Sequence, residues 1–247
     1  MALTGPWPYP RWIAHRGAGK LAPENTLAAF RVGAGHGYRA FECDVKFSAD
    51  DVAFLLHDAT LDRTTSGQGT ASRLTWSELA RLDAGAWHSN DYAGEPPPSL
   101  DAIAAYCIRN GHALNIEIKP TPGDESATGA RVATEVARLW GAQIVAPLLS
   151  SFSLDALRAA RDADARWPRA LLLDELRDGW LAEAQSLGCV AVVMNHLVMD
   201  GAVIELLHDA GLRGLVYTVN DDATALGLLA LGIDGIITDA VDRFAPS

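Results

Sequence analysis

The sequence predicts an α/β protein: a closed (β/α)8 barrel, the TIM-barrel architecture, with one small insertion. Three observations carry this expectation. Short apolar runs alternate with amphipathic helical stretches along the chain, the pattern of a parallel sheet. Strand starts fall at Trp12, Ala40, Leu114, Ile144, Ala170, Cys189, Leu215 and Gly235, which is the eight a closed barrel needs. An open doubly wound sheet would usually follow its first strand with a glycine-rich nucleotide loop, and Gly17-Ala18-Gly19 lacks the third glycine.

The first strand, Trp12-Ile13-Ala14, breaks into His15-Arg16-Gly17 and so delivers two polar side chains to its C-terminal end. A helix is expected over 25–37. The next strand covers 40–47, where Glu42 and Asp44 share one face and Cys43 takes the other, because strand side chains alternate. The turn Ser48-Ala49-Asp50-Asp51 is shorter than the dozen or so residues of a parallel crossover, so the following run must return as a hairpin. That return brings His57 beside Glu42 and Asp44. Residues 58–98 hold no clear βα unit, only a short helix with the capping box Thr75-Trp76-Ser77-Glu78 and the run Pro96-Pro97-Pro98. They are expected to form a small inserted subdomain over one barrel face, shaping or covering a site, within one domain spanning 1–247.

A helix over 99–111 carries an apolar stripe of Leu100, Ile103, Ala104, Cys107 and Ile108. The strand after it puts Asn115, Glu117 and Lys119 on one face and Leu114, Ile116 and Ile118 on the other. The alternation then continues: helix 125–140, strand 144–149, a helix from 153, strand 170–173, helix 177–187, strand 189–194, helix 202–210, strand 215–219, helix 221–231 and strand 235–238.

Two strands with polar faces need a reason in a parallel sheet, which is normally covered on both sides. A cavity is that reason, with acidic groups that can bind a hard cation through oxygen. Histidine moves protons near neutral pH, and arginine grips phosphate through two nitrogens. His15, Arg16 and His57 around these carboxylates therefore point to phosphate-ester chemistry.

The 247 residues suit one large domain or two small ones, and a 49% hydrophobic composition needs no disulfide staples. A net charge of −11 argues against non-specific binding to nucleic acid or anionic membrane. It does not exclude a phosphate substrate, because a bound divalent ion reverses the local field. Cys43, Cys107 and Cys189 are odd in number and set in apolar runs, which suggests buried thiols in a reducing compartment. Residues 1–10 carry no basic or apolar signal region, and no run reaches the roughly 18 apolar residues of a membrane span. The expectation is a cytoplasmic protein.

Taken in order, several segments resemble the glycerophosphodiester phosphodiesterase family. They are His15-Arg16-Gly17, Pro23-Glu24-Asn25-Thr26, Glu42-Cys43-Asp44, His57-Asp58 with Thr60-Leu61-Asp62-Arg63-Thr64-Thr65, and Glu117-Ile118-Lys119. Ser150-Ser151-Phe152, Tyr217-Thr218-Val219-Asn220 and Gly235-Ile236-Ile237-Thr238-Asp239 match in style, so the likeness covers nearly the whole chain. It is similar to the compact cytoplasmic bacterial members. The resemblance implies a barrel of the phospholipase C-like phosphodiesterase type and hydrolysis of glycerophosphodiesters to sn-glycerol 3-phosphate and an alcohol, a step of glycerol and lipid metabolism. It implies one divalent cation on Glu42, Asp44 and Glu117, and His15 and His57 as the catalytic acid and base. It also implies Arg16 and Lys119 on the phosphate. All-oxygen ligation favours Mg²⁺ or Ca²⁺, with Mn²⁺ a further option, over Zn²⁺. Phe152, Tyr217 and Asn220 fall at strand ends on the same face and are candidate substrate contacts. Tyr217 stands where many relatives carry tryptophan, and Ala240-Val241-Asp242 departs from the usual ending, distant in sequence from the proposed chemistry.

A lysophospholipase D-like activity on lysolipids is the second reading; Trp76, Trp87 and Tyr92 could supply part of an apolar lip. A third is a non-catalytic phosphodiester-binding barrel, which would be marked by a lost ligand or histidine, and none is lost. His36, His88, His112, His196 and His208 lack acidic partners at ligand spacing, and Trp140, Trp167 and Trp180 read as packing residues. Asp50-Asp51 and Asp221-Asp222 read as turn and helix-start acids.

Overall fold

A computed structural model of the chain describes residues 7–141, 143, 145–244 and 246. Among them run the strands β1 (Trp12–Ala14), β2 (Ala40–Phe47), β3 (Ala53–Leu55), β4 (Ala113–Ile118), β5 (Leu148–Ser151), β6 (Arg169–Leu173), β7 (Ala191–Asn195), β8 (Arg213–Tyr217) and β9 (Gly235–Thr238). The helices are α1 (Leu27–Gly35), α2 (Trp76–Leu79), α3 (Leu100–Asn110), α4 (Glu125–Trp140), α5 (Leu154–Ala163), α6 (Trp180–Ser186), α7 (Gly201–Asp209) and α8 (Asp222–Ala230). All strands except β3 are parallel, and pairing of β1 with both β9 and β2 closes an eight-stranded barrel.

The alternation of strand residues decides what faces where. On β2, Phe41, Cys43, Val45 and Phe47 pack outward under the helices, with Phe30 of α1 against Phe41 at 5.0 Å between ring centroids. Ala40 turns into the barrel beside Ile13, Leu148, Ala170, Leu172, Val193, Leu215 and Ile237. Trp7 and Tyr9 pack against the same interior cluster from the N-terminal segment. The lower barrel is thus filled with side chains, as closed eight-stranded barrels are, and only its upper part has room for polar groups.

One edge of β2 is shared by two neighbours. β1 ends at Ala14 opposite Phe41, whereas β3 pairs antiparallel with Val45 to Phe47. The chain leaving β3 reaches Leu56, whose N–H donates to the carbonyl of Asp44 at 3.0 Å. The hairpin expected from the short polar turn is present, and it fills the place that the short β1 leaves open.

Boundaries move where side chains have other work. The helix expected from residue 25 starts at Leu27: Thr26 caps it by accepting from Ala29 N–H at 3.2 Å, and Asn25 takes a left-handed φ of 58°. The helix expected from residue 177 begins at Trp180, because Gly179 has a left-handed φ of 80°. The strand expected over 144–149 is Leu148–Ser151 instead, starting after Pro147, which has no N–H to give a ladder. Residue 144 lies outside the described residues. Residues 58–98 carry α2 with its capping box. Leu61, Ala71 and Leu79 of this segment form a small apolar cluster with Phe54 and Leu56.

Candidate active site

A cavity of about 210 Å³ opens at the upper end of the barrel. His15, Arg16, Glu42, His57, Asn115, Glu117, Lys119, Ser150, Phe152 and Tyr217 line it, with Leu172, Thr218 and Ile237. A larger crevice of about 320 Å³ lies among residues at the lower end of the barrel such as Arg39, Ala113 and Trp140, and no described residue lining it is a carboxylate.

The centre of the upper cavity is acidic. β2 and β4 pair so that Glu42 lies beside Asn115 and Asp44 beside Glu117. One carboxylate oxygen from each of Glu42, Asp44 and Glu117 falls within 4.8 Å of the others. Glu42 is 3% and Asp44 0% exposed. Glu42 Oε1 and Asp44 Oδ1 are buried with no hydrogen-bond partner. Lone pairs left this way in a protein interior are costly, and hard oxygen donors converging at this spacing suit a divalent cation. The residues present fit such an ion.

The same crowding shifts the acid–base balance of the carboxyls. Burial, then the charge of Asp44, pushes the carboxyls of Glu42 and Glu117 above their ordinary range. Burial pushes Asp44 the same way, but Arg16 and Lys119 outweigh it and hold Asp44 ionised. Lys119 Nζ lies 2.7 Å from Glu117 and 3.7 Å from Asp44.

Local backbone strain positions these groups. Arg16 has a left-handed φ of 49°, and its N–H donates to Glu42 Oε2 at 3.0 Å. Asn25, also left-handed, clasps Asp44 twice: its Nδ2 donates to Oδ2 at 2.8 Å, and its Oδ1 accepts from Asp44 N–H at 3.1 Å. Left-handed residues other than glycine cost about 1 kcal/mol or more each and concentrate at functional sites. Gly19 shows why the loop after β1 is glycine-rich, since a Cβ there would lie 2.1 Å from the carbonyl oxygen of Asp239.

Each cavity histidine has a carboxylate behind it. His15 Nδ1 lies 2.6 Å from Asp239 Oδ1, which leaves Nε2 facing the acids, 3.8 Å from Glu42. Burial disfavours the imidazolium, yet the hydrogen bond to Asp239 and the charge of Glu42 prevail and raise its pKa. His57 Nδ1 lies 2.7 Å from Asp58 Oδ1. Burial lowers the pKa of His57, with Arg16 and Lys119 adding to that against the pull of Asp44.

Most of the residues singled out from sequence therefore meet in one cavity. Asn220 does not line it. Its Oδ1 accepts from Asp239 N–H at 2.8 Å and its Nδ2 lies 3.3 Å from Asp239 Oδ2, so it orients the partner of His15. Arg16 lines the cavity, but its Nη1 donates to Glu24 at 2.8 Å. Phe152 is 44% exposed at the mouth, edge-on to Tyr217 at 6.0 Å, and Lys119 Nζ sits 5.7 Å from the Phe152 ring centroid. Trp76 packs on Phe54, and Trp87 and Tyr92 flank His88; none of the three lines the cavity.

Sequence reasoning misses several groups. Asp58, Glu24 and Asp239 lie inside the motifs, yet local pattern assigns them no role. Lys46 shares the Glu42–Asp44 face by simple alternation; it is buried, and burial followed by the charge of Lys119 lowers its pKa to about 8. Asn115 and Ser150 are 4% and 0% exposed, and their side-chain polar atoms are without partners at the cavity floor. Among the histidines set aside, His208 does have an acidic partner, Asp234, at 2.8 Å. The segment around Asp239, distant in sequence from the other groups, is part of the site in space.

Among the described residues no helix is long and apolar enough to cross a membrane. The chain matches the glycerophosphoryl diester phosphodiesterase family over residues 15–243. It is 33% identical over 237 residues to YhdW of Bacillus subtilis (strain 168), a protein assigned by name to the glycerophosphodiester phosphodiesterases, covering 93% of this chain and 94% of that one. Among solved structures, it is similar to an Oleispira antarctica phosphodiesterase determined in complex with the product sn-glycerol-3-phosphate, with a TM-score of 0.90, 31% identity and 95% of each chain covered. The glycerophosphodiester phosphodiesterase from Agrobacterium tumefaciens str. C58 matches with a TM-score of 0.80 at 29% identity, covering 96% of this chain and 100% of that one. With its closed barrel, buried acids and paired histidines, this chain belongs to the glycerophosphodiester phosphodiesterase family of enzymes.

Proposed function

We propose that the chain hydrolyses glycerophosphodiesters to sn-glycerol 3-phosphate and an alcohol, using one divalent cation and two histidines. A single observation carries this reading: two imidazole–carboxylate pairs, His15–Asp239 and His57–Asp58, border the cavity that holds three converging carboxylates. Glu42, Asp44 and Glu117 would hold the cation, Mg²⁺ or Ca²⁺ by the hardness of the ligands, with Mn²⁺ also acceptable. When bound, that ion would neutralise charge on the phosphodiester and polarise its oxygens.

The remaining steps belong to side chains. Asp239 and Asp58 fix the ring orientation of His15 and His57 by engaging each Nδ1, so each Nε2 is free to exchange a proton. One histidine removes the proton of the attacking hydroxyl and the other protonates the departing alkoxide, each transfer typically contributing about 10² to 10⁴ in rate. The same two transfers serve whether the attacker is water or the neighbouring glycerol hydroxyl. Lys119 and Arg16 supply positive charge at the cavity wall for the phosphate. The unpartnered Asn115 and Ser150 are suited to hydroxyl groups at the floor, which favours a polyol phosphate entering that end first. Phe152 and Tyr217 form the wall of the mouth, where the alcohol portion would leave.

A cavity of about 210 Å³ suits a small polar ester better than an acyl chain. Lysolipids remain the second class on account of the exposed Phe152 at the mouth. Residues 58–98 act in this reading as an insertion of a single catalytic domain. A cytoplasmic setting is part of it, supported by three free, buried cysteines.

The test is hydrolysis of glycerophosphocholine and lysophosphatidylcholine, after EDTA and after return of Mg²⁺, Ca²⁺ or Mn²⁺. Activity on glycerophosphocholine that EDTA removes and a divalent ion restores is the expected result. His15→Ala and His57→Ala should each lower turnover at least about a hundredfold in folded protein. Retained turnover in either variant refutes that histidine's role.

A further inference from the structure

Arg63 sits in the insertion and touches neither the acids at the centre nor the cavity, yet it joins two parts of the site. Its guanidinium makes two forks. Nε donates to Asp58 Oδ2 at 2.6 Å and Nη2 reaches Asp58 Oδ1 at 3.2 Å. Nη1 and Nη2 donate to the two oxygens of Glu24, each at 2.8 Å. Behind these partners stand the site groups: Asp58 holds His57 Nδ1 at 2.7 Å, and Glu24 accepts from Arg16 Nη1 at 2.8 Å. The result is a continuous chain, His57–Asp58–Arg63–Glu24–Arg16, that crosses from the β3 hairpin to the loop after β1.

The insertion is built to hold Arg63 still. Leu61, two residues earlier, is fully buried; its N–H donates to the carbonyl of Gly69 at 2.9 Å, and its own carbonyl accepts from the Thr65 hydroxyl at 2.7 Å. The Arg63 side chain itself is 44% exposed. Ion pairs that exposed add little to folding stability, so the arrangement is better explained by placement than by cohesion. Only a planar guanidinium can form both forks at once; an ammonium offers a point charge without that geometry.

We propose that Arg63 is a positioning residue, one that fixes the orientation of the His57 ring through Asp58 and of the Arg16 side chain through Glu24. The proposal rests on the roles given above to His57 and Arg16. It also accounts for the insertion, which carries the clamp that joins the two sides of the site.

Arg63→Ala and Arg63→Lys, made in the full chain, test it. Three quantities are measured: turnover of glycerophosphocholine with the restoring cation, melting temperature, and the ¹⁵N resonances of the His57 imidazole. Arg63→Ala should lower kcat about ten- to a hundredfold, the scale of effect seen when a reacting group is misplaced by about an ångström. Its melting temperature should change by less than about 4 °C, and its His57 Nδ1 resonance should move as the Asp58 bond loosens. Arg63→Lys should fall between Ala and wild type. The proposal is overturned if kcat of Arg63→Ala stays within about twofold of wild type, or if kcat falls while the His57 resonance stays put. If wild-type protein turns over no glycerophosphodiester, the proposed function fails on its own, and the resonance decides the clamp: a shift supports it and an unmoved signal overturns it.

Discussion

Nδ1 of His15 lies 2.6 Å from Oδ1 of Asp239, although the two are 224 residues apart in sequence. The contact joins the exit of β1 to the exit of β9, neighbours only because the barrel closes. Asp239 is itself held by Asn220. Removing its charge should lower the pKa of His15, whose raised value depends on that hydrogen bond working against burial. If His15 acts as the protonated partner, the alkaline limb of the pH–rate profile should move to lower pH in Asp239→Asn, while the acid limb stays in place. Turnover at the optimum should fall at least about tenfold. An unmoved alkaline limb contradicts this.

Cation binding should release protons. Burial and then Asp44 raise Glu42 to about 7 and Glu117 to about 8 in the cation-free protein. Both must ionise to ligate, so affinity for Mg²⁺ or Mn²⁺ should climb with pH through this window and level off above it. Calorimetry at pH 7 in two buffers of different ionisation heat counts the protons released. A heat independent of the buffer argues against the acids as ligands.

Glu42→Gln should stabilise the cation-free protein. Because the folded-state pKa of Glu42 lies above its ordinary 4.5, the folded state loses stability as pH rises from about 4.5 to about 7. Glutamine removes that loss, for a gain of about 1–3 kcal/mol at pH 8, where the penalty is complete. The same variant should bind divalent cations at least about tenfold more weakly. Chemical denaturation at pH 8 and pH 4.5 checks the sign, with the gain expected only at the higher pH.

Phe152→Ala tests the mouth. The ring is half in solvent and meets Tyr217 edge-on, so its loss should leave the acids and histidines undisturbed. KM for glycerophosphocholine should rise about three- to tenfold with kcat little changed, the sign of lost uniform binding. A fall in kcat at constant KM would instead place Phe152 in the chemical step.

Local rules made much of the molecule readable. Alternation on β2 placed Glu42 and Asp44 together and Cys43 in the outer core. The four residues of one short turn, Ser48 to Asp51, were enough to fold His57 back onto them. What stayed hidden is nonlocal or competes with local propensity. Nothing near Asp239 points to His15, since their contact arises from barrel closure. Asn25 reads as the start of a helix, but its bonds to Asp44 pull it into a left-handed conformation and delay the helix. Pro147 marks the true start of β5, against the pull of the apolar run before it. Asn220 sits at a strand end on the right face, but sequence could not show that its amide turns toward Asp239 instead of the cavity.

The closure of β9 between β1 and β8 also sets an order of events during synthesis. A nascent chain that has emerged through α8 already holds all three carboxylates and both imidazoles. It still lacks the strand that brings Asp239 to His15. Such a chain would lack the anchor of one imidazole until β9 docks, so activity should switch on late and abruptly, once that strand has left the ribosome.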